Sequence, residues 1–271
     1  MNTSFKIQTK DNLSLQGYTC PVSQTPNAVI VQVHGMGEYA ERYEHVATFF
    51  SEKNIAWFSI DLRGHGRSEG KRGHTPDYEA LLTDIEQLHR HASQSYSNLP
   101  IILYGHSMGG NLLLNYIIRK KPQVAGAIIT SPYLRLSFEP PAWKVTLGKI
   151  SAGILPTLTQ PTGLDTKALS RDLNVVNAYD NDPLVHDKIT SAFFVNVHTA
   201  GPYAIEHANQ IQIPILLMHG TSDAITSYKA SEELAHRNTK YITLKLWEGL
   251  YHEIHNEPEK LDVLNTMFDW M

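Results

Sequence analysis

An apolar run, Ile101-Ile102-Leu103-Tyr104, enters Gly105-His106-Ser107-Met108-Gly109 and passes straight into a segment with helical spacing of its apolar residues, Asn111 to Arg119. Strand, turn and helix follow one another without a spacer, which leaves the chain few ways to fold. A reversal this tight needs glycine on either side of its apex, and Gly105 and Gly109 stand there. The Ser107 hydroxyl then projects clear of its own backbone. The helix turns its unpaired N–H groups and positive dipole end toward the same point, where an oxyanion can be held. This is the pattern of a nucleophile elbow, and it makes Ser107 the candidate nucleophile.

The rest of the chain places that elbow in a sheet. Phe5 to Gln8 and Leu13 to Tyr18 alternate around Asp11-Asn12 and predict a hairpin. Ala28 to Val33 is a nearly continuous apolar run, the mark of a strand covered on both faces. Further strands are predicted at Asn54–Ile60, Ala125–Thr130, Pro214–Met218 and Ile242–Leu246. Helical spacing marks Tyr39–Lys53, Tyr78–His91, Ser227–His236 and Pro258–Trp270. Alternating strands and helices predict an α/β fold, a mostly parallel central sheet flanked by helices. Ligands of such sheets bind at the carboxyl ends of the strands.

Residues 132–212 break the rhythm. They carry Pro132, Pro140, Pro141, Pro156, Pro161 and Pro183, and their apolar positions, among them Trp143, Leu147, Ile150, Ile154 and Leu158, keep helical spacing. A loop of this length is out of place in a compact domain, so an inserted helical cap is expected. It divides the core into residues 1–131 and 213–271.

Composition narrows the function. With 42% hydrophobic and 18% charged residues the 271-residue chain is globular, and a net charge of −4 gives no support for nucleic-acid binding. No apolar run is long enough to span a bilayer, and Met1 to Leu15 has no signal-peptide core. The lone Cys20 fits a reducing compartment, and cytoplasmic residence is the expectation. Oligomeric state is left open.

A serine hydroxyl attacks only when a neighbouring base takes its proton and a third group orients that base. Asp223 stands just past the strand that runs into His219-Gly220, and His252 just past the strand that ends near Trp247, both at the elbow's edge of the sheet. His106 and His255 compete with His252. His106 is expected to point away from Ser107, and His255 to lie on or just before the first turn of the last helix. The HEIH run at His252 is one residue too short for the helical zinc motif, and no Cys/His cluster has structural-zinc spacing. The glycines of DLRGHGRSEG at Asp61 miss the dinucleotide fingerprint by one position, so Asp61 and Arg63 are expected instead to hold this loop against the elbow. The Met108 N–H and a donor from the loop His34 to Glu38 are expected to form the oxyanion hole.

HGMGE at His34, DLRGHGRSEG at Asp61, GHSMGG at Gly105, HGTSD at His219 and YHEIHNEP at Tyr251 together resemble the monoacylglycerol lipase and lysophospholipase branch of the α/β-hydrolase superfamily. In the cap, Ser170-Arg171-Asp172, Ala178-Tyr179 and Asp182-Pro183-Leu184-Val185 also resemble it. Tyr39 departs from the branch, where a histidine commonly follows the first motif, and residues 136–163 are least similar. The resemblance implies an α/β-hydrolase fold with a helical cap and a Ser107-Asp223-His252 triad. It also implies an oxyanion hole completed by the Met36 N–H, no cofactor or metal, and a lipid-ester substrate such as a monoacylglycerol. A lysophospholipase, a short-chain carboxylesterase or amidase, and a non-enzymatic receptor are the alternative readings. The face around Trp143, Val145, Leu147 and Ile150 is a candidate for transient contact with a membrane or micelle.

Overall fold

The computed structural model describes residues 3–138 and 150–271. The predicted hairpin is β1 (Thr3–Gln8) and β2 (Ser14–Cys20), antiparallel, with Thr3 opposite Thr19 and Gln8 opposite Ser14. Among the described residues, five strands are buried along their whole length: β3 (Ala28–Val33), β4 (Ile55–Ile60), β5 (Ile101–His106), β6 (Gly126–Thr130) and β9 (Ile215–Gly220). A strand covered on both faces has no solvent side, which is why these read as nearly continuous apolar runs. Two short strands, β7 (Thr159–Pro161) and β8 (Lys188–Thr190), pair with each other, and β10 (Ile242–Trp247) closes the main sheet with a partly exposed edge. Among the described residues the main sheet has eight strands in the order β1-β2-β4-β3-β5-β6-β9-β10, parallel from β4 to β10.

Helices cover both faces. α1 (Glu44–Ser51) lies on one face, and α2 (Tyr78–Ser95) and α3 (Met108–Lys120) lie on the other. α4 (Leu173–Asp180) belongs to the segment between β6 and β9, as does α5 (Ser191–Glu206). α6 (Tyr228–Arg237) joins the α2 and α3 face, and α7 (Lys260–Trp270) joins α1. α2 shows how sequence sets such a helix. Asp77 caps it by accepting from the Ala80 N–H at 2.7 Å, and Leu81, Leu82, Ile85 and Leu88 bury one face.

Two features of residues 132–212 were not visible in their spacing. The β7–β8 pair sits within a stretch expected to be helical; three residues per strand, one a proline at the edge, are too few to show alternation. α5 packs on α3, with Phe193, Val197, Ala204 and Ile205 buried in the same cluster as the sheet. Main-chain bonds tie the neighbourhood of β8 to the core: His186 donates to Gly37 O at 2.9 Å and Thr190 to Gly73 O at 2.8 Å. Trp143, Val145 and Leu147 lie outside the described residues; Ile150 is half exposed.

Candidate active site

The topology delivers four loops to one edge of the sheet, from the carboxyl ends of β3, β5, β9 and β10. Ser107, between β5 and α3, has φ 53° and ψ −117°, a conformation that is strained for a residue with a Cβ. The two glycines that flank it do not take the positive φ. Their part is close approach: a Cβ on Gly109 would lie 2.1 Å from Val33 O, and one on Gly105 2.7 Å from Gly109 O. The turn is therefore tight because β3 and the start of α3 press on it, and the strain is carried by the serine itself. Ser107 N bonds Thr130 O at 2.9 Å and Ser107 O accepts from Asn111 and Tyr133, which holds the apex in place.

The structure brings Ser107, His252 and Asp223 into one line. His252 Nε2 is 2.9 Å from Ser107 Oγ, and its Nδ1 is 2.7 Å from Asp223 Oδ2. The three come together across 145 and 29 residues of chain. Asp223 also accepts from the N–H groups of Ile225 and Thr226 on Oδ1 at 2.8 and 2.9 Å. Burial works against charge on both partners, yet each favours the other's charged form. His252 is consequently raised above its ordinary 6.5 by the adjacent Asp223 carboxylate, and Asp223 is held well below the usual carboxylate range by His252 and His219.

Behind the expected oxyanion hole, Gly35 is fixed from both sides. His34 Nδ1 lies 2.7 Å from Gly35 O, while its Nε2 accepts from Leu62 N at 2.9 Å, so the ring carries its proton on Nδ1. Burial pushes His34 down to about 3 and keeps it neutral. The Gly35 N–H donates to Glu38 Oε1 at 2.6 Å. The next residue, Met36, lines the cavity beside Ser107 together with Met108. Met108 opens α3, so its N–H has no partner within the helix.

Glu38 leads to an ion network whose carboxylates stand in the motifs but whose contacts, through Arg42, the spacing does not reveal. Arg42 bonds Glu38 Oε2 at 2.5 Å and grips Glu253 with two nitrogens at 2.8 and 2.9 Å. Burial opposes charge on both carboxyls. The two-nitrogen grip overrides it at Glu253, which is lowered, whereas Glu38 stays above the usual range. The Tyr179 ring lies over Arg42 at 4.6 Å and brings α4 against the same network.

Ser107 opens on a cavity of about 330 Å³. Leu136, Phe138, Ile189, Phe194, Val197 and Ile225 supply apolar wall, and Glu38, Glu253, Tyr179 and His186 a polar one. A second cavity of about 450 Å³ shares Tyr179, His186, Thr162 and Leu164 with it and is lined with charged groups such as Arg72, Asp180 and Lys188.

Neither competing histidine bonds Ser107. His106 is buried, and its Nδ1 lies 3.1 Å from Thr130 Oγ1. His255 sits in a 3-10 turn, Ile254–Asn256, ahead of α7, with its ring stacked on Tyr43 at 4.8 Å; burial lowers it to about 3. Arg63 does not hold its loop against the elbow. It pairs with Asp84 of α2 at 2.6 Å and Asp11 of the first hairpin at 2.8 Å. Asp61 accepts from the N–H groups of Ala40 and Arg67 instead. A buried guanidinium needs carboxylate partners, and the elbow offers none.

Fold and site together define an α/β-hydrolase. A family model described as "Serine aminopeptidase, S33" matches residues 24–259. A monoacylglycerol lipase of Mycolicibacterium smegmatis is 33% identical over 91% of this chain and 88% of its own length. The crystal structure of the Paleococcus ferrophilus monoacylglycerol lipase is 31% identical with a TM-score of 0.87, over 94% of this chain and 97% of that one. An uncharacterized abhydrolase domain-containing protein of Dictyostelium discoideum is 38% identical over 97% of this chain, which spans only 28% of that protein's length. The chain belongs to the monoacylglycerol lipase-like branch of the serine aminopeptidase S33 family of hydrolases.

Proposed function

We propose that the chain hydrolyses carboxylic esters of lipids, with monoacylglycerols as the preferred class, by a serine acyl-enzyme mechanism. The observation that carries this reading is the Ser107–His252–Asp223 hydrogen-bonded line opening on a largely apolar cavity. Ser107 Oγ attacks the ester carbonyl as His252 Nε2 takes its proton. Asp223 keeps the other imidazole proton on Nδ1 and stabilises the cation. The Met36 and Met108 N–H groups receive the oxyanion, each contributing about 3–4 kcal/mol in enzymes of this type. His252 then protonates the departing alcohol, and water entering along the same path releases the acid. Apolar wall receives the acyl chain at about 0.8 kcal/mol per buried methylene. The alcohol faces Glu38, Glu253 and Tyr179, with the polar second cavity beyond.

Hydrolysis of 1-monoacylglycerols from C8 to C18 tests this against a diacylglycerol, a lysophosphatidylcholine and p-nitrophenyl acetate. Long-chain monoacylglycerol is expected to give the highest kcat/KM. Activity confined to the acetate would replace the lipid reading with a short-chain esterase, and a preference for the lysolipid would move the substrate class.

In this reading residues 132–212 serve as a cap over the core parts 1–131 and 213–271, and the cap meets the lipid surface. The described part of the cap exposes Ile154, Leu155 and Leu158 by 72, 56 and 50%, although among the described residues no helix is long and apolar enough to cross a membrane. Ile154→Asp with Leu155→Asp is expected to lower co-sedimentation with lipid vesicles severalfold and to leave p-nitrophenyl acetate hydrolysis unchanged. Undiminished vesicle binding would remove the surface from the mechanism.

A further inference from the structure

Asp223 Oδ2, the oxygen that supports His252, is shared with a second imidazole. His219 Nε2 lies 3.0 Å from it, and His219 is wholly buried at the end of β9. A carboxylate only accepts, so this nitrogen carries the proton. The other ring nitrogen, Nδ1, lies 2.8 Å from Ser231 Oγ on α6, which sets the plane of the ring. Thr226 Oγ1 is also near, 2.9 Å from Oδ2 and 3.1 Å from Ser131 O, but it has one proton to give. With two imidazole N–H groups on Oδ2 and two backbone N–H groups on Oδ1, the Thr226 hydroxyl is free to turn to Ser131.

We propose that His219 is a positioning residue for the hydrolysis, acting through Asp223: its N–H holds the carboxylate in the plane of the His252 ring and draws charge from the oxygen they share. The assignment rests on the serine-hydrolase reading above. Without His219, Oδ2 carries more charge toward His252, and the carboxylate, still held on Oδ1 by the Ile225 and Thr226 N–H groups, loses an anchor on the oxygen it shares with His252. The first effect strengthens the imidazolium and moves the acid limb of activity to higher pH; the second lowers kcat. Other groups facing His252 are unchanged by the substitution: His106 from β5, Glu38 from the loop after β3, and Glu253 and His255 from its own loop.

The test compares His219→Leu, His219→Gln and Ser231→Ala with wild type and Ser107→Ala, from pH 5 to 9 on a soluble p-nitrophenyl ester, with thermal melts of each. His219→Leu is expected to lower kcat by about 10- to 100-fold, the range for a hydrogen bond to a charged group, with KM nearly unchanged and the acid-limb midpoint moved up. His219→Gln keeps a side-chain N–H within reach of Asp223 and is expected to recover most of kcat and the wild-type midpoint. Ser231→Ala, which removes only the support of the ring, is expected to move the midpoint in the same direction by less; it carries the test should the leucine variant not fold. An unmoved midpoint in the folded His219→Leu and Ser231→Ala variants, or equal loss in the leucine and glutamine variants, overturns the positioning role and leaves His219 as packing. Turnover surviving in Ser107→Ala would instead remove the serine mechanism on which it rests.

Discussion

Ser107→Ala is expected to lower kcat by about 10⁶-fold, the loss seen when the nucleophile of such a unit is removed, while the folded structure stays intact. The hydroxyl makes one hydrogen bond, to His252 Nε2 at 2.9 Å, and the main-chain bonds that hold the apex do not depend on it. Alanine keeps the Cβ and inherits the same φ of 53°, so the strain of the elbow is unchanged. Stability should therefore fall by no more than about 1 kcal/mol, the net worth of one hydrogen bond. Adding His252→Ala should cost almost nothing more, because base and nucleophile act as one unit and the residual rate belongs to the oxyanion donors and to binding. Kinetics of both variants on one soluble ester, with melting curves, would decide it. A residual rate within tenfold of wild type would mean that another group attacks the carbonyl.

What could be read in the sequence is what local geometry encodes. The elbow declares itself because strand, apex and helix are contiguous; Asp223 follows a buried apolar run, Ile215 to Met218, and His252 a strand that alternates from Ile242 to Leu246. Contacts between loops left no such trace. Glu38 and Glu253 both stand in quoted motifs, but that one Arg42 joins them depends on how the loops after β3 and β10 converge, 211 residues apart for Arg42 and Glu253. His219 stands in HGTSD at a strand's end, and its bond to Asp223 appears only once the turn after β9 folds back on that end. The spacing of DLRGHGRSEG says nothing of which groups Arg63 meets. Yet a buried cation goes where carboxylates are, and those were Asp84 on a helix and Asp11 in the first hairpin. The glycines of the elbow are required by close approach to the carbonyls of Val33 and Gly109 and not by their own φ. Short, irregular pieces such as β7 and β8 carry too few residues for any period to register.

Asp223→Asn is expected to lower kcat by about 10⁴-fold, as the corresponding change does in other serine triads, with a shift of the pH profile that identifies the cause. Both oxygens of Asp223 face donors: His252 and His219 on one, the Ile225 and Thr226 N–H groups on the other. An amide has one acceptor and one donor end. Turned one way, its NH₂ confronts two backbone N–H groups. Turned the other, it confronts the imidazoles and forces His252 to carry its proton on Nε2, where it cannot receive one from Ser107. The base must be neutral to act, so kcat/KM is present above the His252 pKa and is lost as pH falls through it. In the wild type that limb should lie above the ordinary 6.5, because the Asp223 carboxylate outweighs burial. In Asp223→Asn the carboxylate is gone, burial prevails, and the limb of the residual activity should move to lower pH, opposite to the direction expected for His219→Leu. Profiles of kcat/KM from pH 5 to 9 measure both. A wild-type profile flat from pH 5 to 8 would contradict His252 as the base, and an unmoved limb in Asp223→Asn would mean that Asp223 does not set its charge.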